Sequence, residues 1–324
     1  MPIGLVSVIL PCFNGLPDVD VQLAALAAQD YEGDFEVIVS DNGSTDGLRE
    51  HLDQLGLPVD IRWIDSSDVQ GTSHAKNAGI AAARGDFLAF TDQDDAVYPN
   101  WLTALTRAAE TADAVGGPIE VHTLNSPKVA TWRDVPAPAD RFETEYLPFA
   151  HGNNFAMWRR VVDQVGNFDE NLVAGGEDID ISWRIQQAGF SLAHTPDALV
   201  AYRLRDTVTA TFRQGVRYGR SSYRISVKHG SRGAWNPPLV KVMALQAWGI
   251  VYLAIARNPC LPKILHPLPS GRWALLLGQF CGAFQVRLEH VQGLVSRRLP
   301  GRWSRTTPRA NAAPSGSTSA HRYR

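Results

Sequence analysis

Gly85-Asp86-Phe87-Leu88-Ala89-Phe90-Thr91-Asp92-Gln93-Asp94-Asp95 is the stretch whose reading decides the fold. Its first half is a short unbroken apolar run after a glycine, the pattern of a strand buried on both faces in a parallel sheet. Its second half sets Asp92, Asp94 and Asp95 just past the strand end. In open α/β sheets, ligands bind outside the carboxyl ends of the strands. Carboxylates this close repel one another, so a cation is expected among them. A hard divalent ion held by one or two carboxylates plus substrate phosphates suits the pattern. A solvated acidic turn capping the next helix is the competing reading of the same residues.

Working outward, short apolar runs alternate with helical patterns across the first 200 residues, which predicts an α/β fold with a mostly parallel sheet. Strands are expected at Val6–Leu10, Phe35–Ser40, Asp60–Ile64, Asp86–Thr91 and Ala114–Gly117. Helices are expected at Val19–Ala28, Thr45–Leu55, Ser73–Ala83 and Trp101–Thr111, and another follows Glu177. Asn125–Pro148, rich in Pro, Asp and Arg, reads as a long mobile loop.

The composition is that of a folded protein: 44% hydrophobic and 20% charged over 324 residues. Three cysteines, far apart, make neither a metal-ligand spacing nor a disulfide framework and point to a reducing compartment. The N-terminal apolar run is too short for a signal peptide, so the catalytic part is expected in the cytosol.

Three further constellations carry chemistry. Asp41 ends a second apolar strand and is followed by Asn42-Gly43-Ser44-Thr45-Asp46, good turn and capping residues. At a strand end, Asp41 can accept a hydrogen bond from a base or ribose. Lys76, in Ala75-Lys76-Asn77-Ala78-Gly79, can meet a phosphate, although a lone helical lysine is usually solvated. His74 shows no partner and reads as structural. Gly175-Gly176-Glu177-Asp178 places carboxylates in a first helical turn, where they suit the helix dipole. A flexible Gly-Gly pair is also a way to present a general base to a hydroxyl. The glycine-rich phosphate loops G-x-x-x-x-G-K-[ST] and G-x-G-x-x-G are missing, so a bound nucleotide is expected to be held by metal and carboxylates.

The order of these elements resembles the family-2 glycosyltransferases, inverting enzymes with the GT-A fold, over about residues 5–205. The motifs are Val8–Asn14, Val39–Asp46, Ala75–Gly79, Asp92–Asp95, Gly152-Asn153-Asn154-Phe155-Ala156, Gly166–Glu170 and Gly176-Glu177-Asp178. The resemblance implies that Pro11 and Phe13 line a nucleotide pocket, Asp41 reads the base and Lys76 lies near base or phosphate. It places Asp92 on the ribose and metal-bound diphosphate and Asp94 on Mg²⁺ or Mn²⁺. Asn154 and Glu177 would line the sugar and acceptor site, with Asp178 the base. Where many relatives carry a histidine near the metal, this chain reads Val200-Ala201-Tyr202-Arg203-Leu204-Arg205, so no third metal contact is implied there. The Gln-x-x-Arg-Trp motif of processive synthases is missing, which argues for one sugar per encounter. The rival reading is a non-catalytic nucleotide-sugar-binding or membrane scaffolding protein, which would lack a base such as Asp178.

Beyond Arg203 the charge inverts: 20 Lys and Arg face only Asp206 and Glu289, while the whole chain carries a net charge of −2. Arg213, Arg217, Arg220, Arg224 and Lys228 share one helical face beside Phe212, Val216, Tyr223 and Val227. Leu239–Ala256 and Trp273–Val286 are apolar but near or below the length that spans a bilayer. Expected are a catalytic domain at 1–205, a helical membrane-associating region at 206–300 and a disordered basic tail at 301–324. The region resembles the tails of family members that act on lipid-linked acceptors. Each basic residue near an anionic surface contributes ~1 kcal/mol, so this face suits the cytoplasmic side of a membrane, peripheral or re-entrant, with a full span as the alternative. Arg203 or Arg205 would meet an acceptor pyrophosphate. Packing of the basic helix against the acidic catalytic domain is the competing reading. Nucleic acid is not an expected partner, because the tail interleaves apolar stretches better suited to lipid.

Overall fold

The computed structural model describes residues 3–172, 175–234, 239–256 and 268–298. The chain forms two compact units, Met1–Arg287 and Leu288–Arg324, and only the end of one helix is described in the second. The first half runs β1 (Val6–Cys12), α1 (Val19–Ala27), β2 (Phe35–Asp41), α2 (Leu48–Leu52), β3 (Asp60–Asp65), α3 (Thr72–Ala82), β4 (Phe87–Phe90), β5 (Ala96–Val97) and α4 (Trp101–Ala108). Then come β6 (Ala114–Gly116), β7 (Ile119–Glu120), α5 (Pro127–Ala130), β8 (Phe155–Trp158), α6 (Arg159–Val165), α7 (Glu177–Gln187), β9 (Leu192–His194) and β10 (Val200–Ala201). Three long helices follow: α8 (Val208–His229), α9 (Leu239–Ala256) and α10 (Ser270–Arg298).

Seven strands form the main sheet in the order β3-β2-β1-β4-β8-β6-β9. β1, β2, β3 and β4 are mutually parallel, and the mainly apolar β1 and wholly apolar β4 are buried on both faces, as such sheets require. β8 alone runs against its neighbours, pairing Phe90 with Phe155. That reversal brings Gly152–Asn154 to the edge where β4 releases Asp92. No strand is expected there from sequence, because four residues are too few to show a period. A small sheet, β5-β10-β7, pairs Val200 with Val97 and so returns the chain after β10 to the acidic cluster.

Two expected elements differ. The helix expected over Thr45–Leu55 contracts to α2 because its first residues hold the loop after β1. Ser44 Oγ accepts from the Asn14 N–H (2.9 Å), the Thr45 N–H donates to Asn14 Oδ1 (2.8 Å), and Asp46 Oδ2 accepts from Leu16 (2.9 Å). The loop expected over Asn125–Pro148 is anchored: Val129 and Trp132 enter the core, and Asn125 Nδ2 donates to the Tyr202 carbonyl (2.7 Å).

α8 docks through charge at one point and through glycine at another. Lys228 Nζ lies 2.6 Å from carboxylate oxygens of both Asp169 and buried Asp180. Here the basic helix neutralises the acidic catalytic body, while Arg213 and Arg217 stay exposed. Gly215 and Gly219 of α8 face Gly278 and Gly282 of α10 so closely that a Cβ on Gly219 would sit 2.0 Å from the Gln279 carbonyl oxygen. Two Gly-x-x-x-Gly pairs thus let the helix backbones touch, a contact favoured where packing rather than water drives association.

α9 is 18 residues long, mean hydropathy 1.8, and only 17% buried, which makes it long and apolar enough to cross a membrane by length and composition. Its outward side exposes Val240, Leu245, Trp248, Val251, Tyr252 and Ile255. α10 is longer than the apolar stretch expected at Trp273–Val286. The expected tail at 301–324 lies outside the described residues.

Gly219→Val is expected to force α8 and α10 apart and to lower stability by about 1–3 kcal/mol. Thermal unfolding measures this, and an unchanged melting temperature would contradict the close backbone contact.

Candidate active site

Strand ends converge on a cleft of about 410 Å³ lined by Pro11, Phe13, Asp92, Asp94 and Arg205, among others. Pro11 lies one residue before the end of β1, and Phe13 just beyond the strand is 52% exposed. Gln93, the uncharged member of the acidic cluster, fixes this wall. Its Oε1 accepts from the Phe13 N–H (2.8 Å) and its Nε2 donates to the Phe13 carbonyl (3.1 Å). A side chain on Gly15 would strike that amide.

The carboxylates divide by burial. Asp95 is buried beneath the cleft, accepting from Asn153 Nδ2 (2.5 Å) and from the Arg203 N–H (2.8 Å). Burial, with Asp92 and Asp94 beside it, pushes its pKa well up. Asp92 keeps an open edge, and no described side chain or backbone group hydrogen-bonds its carboxylate. Desolvation, opposed by Lys76 and reinforced by Asp94 and Glu177, lifts its pKa to about 6. Asp94 meets Arg205 at 3.1 Å through Oδ2. Arg203 donates from Nε to the Asp94 carbonyl (2.9 Å) and lies 3.4 Å from Asp18. Arg203 and Arg205 therefore clamp the acidic cluster from β10, at the place where relatives carry a histidine.

Among the described residues no group of three His, Cys, Asp or Glu forms a ready-made metal site. Asp92 and one oxygen of Asp94 remain free of protein donors and open to the cleft. That donor set suits Mg²⁺ or Mn²⁺ completed by diphosphate oxygens.

Asp41 is buried at the end of β2, each oxygen taken by one donor: Ser44 N–H at 2.8 Å and Trp63 Nε1 at 3.1 Å. Each oxygen retains a second lone pair. Asn42, beyond a turn role, binds the 66–71 loop: its Nδ2 donates to the Ser66 and Val69 carbonyls and its Oδ1 accepts from Gly71.

Lys76, expected near base or phosphate, is buried and not a solvated helical lysine. It is 1% exposed, donating to the Gly152 carbonyl (3.2 Å) and Glu177 Oε1 (3.3 Å). Burial alone would lower its pKa, but Glu177, Asp92 and Asp178 outweigh that and hold the ammonium charged. Gly152 packs closely here: a Cβ would lie 3.1 Å from Lys76 Nζ and 3.3 Å from Asp178 Cβ, so any side chain would push on both.

Asp178 sits in the first turn of α7, its Oδ2 accepting from the Gly152 N–H (3.2 Å) and its Oδ1 from the Ile179 N–H (2.8 Å). Desolvation and then Glu177 raise its pKa to about 6, against the pull of Lys76. The glycine pair before it is a conformational requirement rather than a flexible presenter. Gly175 and Gly176 take φ of 103° and 86°, and a Cβ on Gly176 would strike Ile225 of α8.

Two sequence expectations change. Asn154 is fully buried under the cleft: its Oδ1 accepts from Trp101 Nε1 (2.8 Å), and its Nδ2 donates to Pro118 (2.7 Å) and Ala198 (2.6 Å) carbonyls. It ties β8 to the small sheet and does not line the site. His74 has partners, Asp68 at 2.8 Å and Glu170 at 3.2 Å. Gln93 and Asn153 take roles that no local pattern shows, because the partners that fix them, Phe13 and Asp95, lie 80 and 58 residues away.

Family models for "Glycosyl transferase family 2" and "Glycosyl transferase family group 2" match residues 7–166 and 91–284. Glycosyltransferase AglE of Haloferax volcanii is 31% identical over 207 residues, 62% of this chain and 67% of that protein. Succinoglycan biosynthesis protein ExoM of Rhizobium meliloti is 29% identical, covering 69% of this chain and 77% of its own. The pre-mycofactocin glycosyltransferase of Mycobacterium tuberculosis is 29% identical, and this chain spans 47% of its length. The fold matches that of a mannosyltransferase from Pyrobaculum calidifontis solved with GDP-Man and Mn²⁺, at a TM-score of 0.55 and 19% identity, over 92% of this chain and 88% of that one.

Asn154→Ala would strand the Trp101 indole N–H and the Pro118 and Ala198 carbonyls, at about 1–3 kcal/mol for each buried group left unpaired. The expected outcome is a sharply lowered melting temperature; a stable variant with a raised acceptor KM would return Asn154 to the site.

Proposed function

The chain belongs to the family-2 glycosyltransferases and has the GT-A fold, and from that premise we propose a metal-dependent, inverting hexosyl transfer. The donor is a nucleoside-diphosphate sugar, UDP- or dTDP-linked, and the acceptor is a hydroxyl of a lipid-linked glycan. One observation carries the reading: Asp92 on the cleft side and Glu177 and Asp178 at the start of α7 share one buried ammonium, Lys76, with Asp94 open to the cleft beside Asp92.

Pro11 and Phe13 face the nucleotide, and Asp41 offers its spare lone pairs to the base. Asp92 and Asp94 would hold Mg²⁺ or Mn²⁺, which would supply charge neutralisation for the departing diphosphate. Lys76 sets the potential between the two halves. Asp178 takes the proton of the acceptor hydroxyl as that oxygen bonds to the anomeric carbon and the bond to diphosphate breaks. A base with a pKa near working pH is well matched to this task. Glu177 orients Lys76 and keeps the Asp178 pKa raised. Arg205, now on Asp94, is placed to exchange this carboxylate for a phosphate.

The exposed apolar side of α9 and the basic residues Arg213 and Arg217 support attachment to an anionic membrane surface at its cytoplasmic face.

Asp94→Asn and Asp178→Asn are each expected to reduce transfer by about 10²-fold or more with little change in melting temperature. Full activity in both variants would overturn the assignment. A base must be ionised to act, so transfer should fall as pH drops through about 6, the value to which burial lifts Asp178. A pH–rate profile on saturating donor reads this limb, and its persistence in Asp178→Asn would assign it elsewhere.

A further inference from the structure

Arg133 is a cation without a carboxylate. Among the described residues it makes no ion pair, although its NH1 reaches Tyr202 Oη at 3.4 Å and Tyr218 Oη at 3.5 Å. Both tyrosine rings lie beneath the guanidinium, 5.1 Å and 5.7 Å to their centroids. Its NH2 lies 3.4 Å from His151 Nε2, while His151 Nδ1 lies 2.6 Å from Asn153 Oδ1. Burial and then Arg133 drive the His151 pKa down to about 3, so this ring is neutral and offers no counter-charge. A guanidinium drawn from water without an anion is costly, and its planar fork matches phosphate. Arg133 also sits beside the chemistry: His151 precedes Gly152, whose N–H supports Asp178.

Tyr218, the floor of that site, also lines an open cavity of about 660 Å³ between α7, α8, α9, α10 and the 143–149 segment, which brings Glu143 and Glu145 to its wall. Ile179, next to Asp178, forms part of its wall, as do Trp183, Ile225 and Phe280. Its outer rim is Leu245, 63% exposed on the apolar side of α9. Within it, Gln246 Oε1 is buried with no hydrogen-bond partner, so the cavity is mostly apolar but not indifferent to a polar group.

Resting on the glycosyl-transfer reading, we propose that Arg133 and this cavity form the acceptor subsite, for a sugar carried on a hydrocarbon-chain phosphate. The chain enters past Leu245 and fills the cavity, the phosphate lies on Arg133 over Tyr202 and Tyr218, and the sugar hydroxyl meets Asp178. The site accounts for a cation that has no ion pair among the described residues and for a mostly apolar cavity that reaches from Leu245 of α9 to Ile179, the neighbour of Asp178.

The test titrates n-decyl phosphate, n-decanol and inorganic phosphate into the full-length protein in zwitterionic-lipid nanodiscs, by calorimetry. Decyl phosphate should bind about 10-fold or more tightly than either of the others, the worth of a charge-assisted hydrogen bond. Arg133→Gln should erase its advantage over decanol, and Arg133→Lys should retain part of it. Equal binding of decyl phosphate and decanol to the native protein overturns the phosphate site, and equal binding of decyl phosphate and inorganic phosphate overturns the cavity. Loss of the preference in Arg287→Gln, the arginine on the cavity wall, with retention in Arg133→Gln, places the phosphate elsewhere and overturns the proposal. Donor hydrolysis measured on the native protein judges the transferase reading separately, because none of these binding results requires turnover.

Discussion

The buried ammonium of Lys76 is the charge on which the site depends. Asp92, Glu177 and Asp178 come from the end of β4 and the start of α7, and without a cation among them their repulsion would splay the two elements. An ammonium desolvated to this degree is stable only where several carboxylates face it. Asp92 and Asp178 in turn have raised pKa values because the same burial strips their water. One interaction thereby closes the cleft and tunes both of its halves.

Topology delivers these groups to one place. Parallel β1, β2 and β4 end at the same edge, and reversed β8 brings the Gly152–Asn154 turn to it from the opposite direction. β10 does the same for Arg203 and Arg205 through its pairing with β5. Glycine permits the close approaches: Gly152 lets Lys76 and Asp178 meet, and Gly176 lets α7 begin against α8. The long helices extend this logic outward. Their glycine-lined contact joins α10 to α8, and α8 reaches α7 through the buried carboxylate of Asp180.

Much of this was legible in the chain. The apolar runs of β1, β2, β4 and β6 and the helices α1, α3 and α4 follow from local periodicity, which is a property of neighbouring residues. So does the placing of Asp41, Asp92 and Asp94 at strand ends. The resemblance puts Lys76 near base or phosphate, but its burial is set by what packs above the helix, here a turn 76 residues away, and no local pattern records that. Asn154 was placed in the site by its motif, yet its three partners come from positions 36 to 53 residues distant and hold it beneath the floor.

The sequence by itself determined an α/β sheet with acidic strand ends, a base candidate at a helix start and a basic, apolar C-terminal region, since all of these are local patterns of polarity. Tertiary structure alone decided which carboxylates are open and which are spent. It paired Asp95 with Asn153, Asp94 with Arg205 and Asp180 with Lys228, and left Arg133 facing only tyrosines and a neutral histidine. Charge and hydrogen bonding act over a few ångströms of space, and no pattern along the chain records which distant residues the fold brings within that reach.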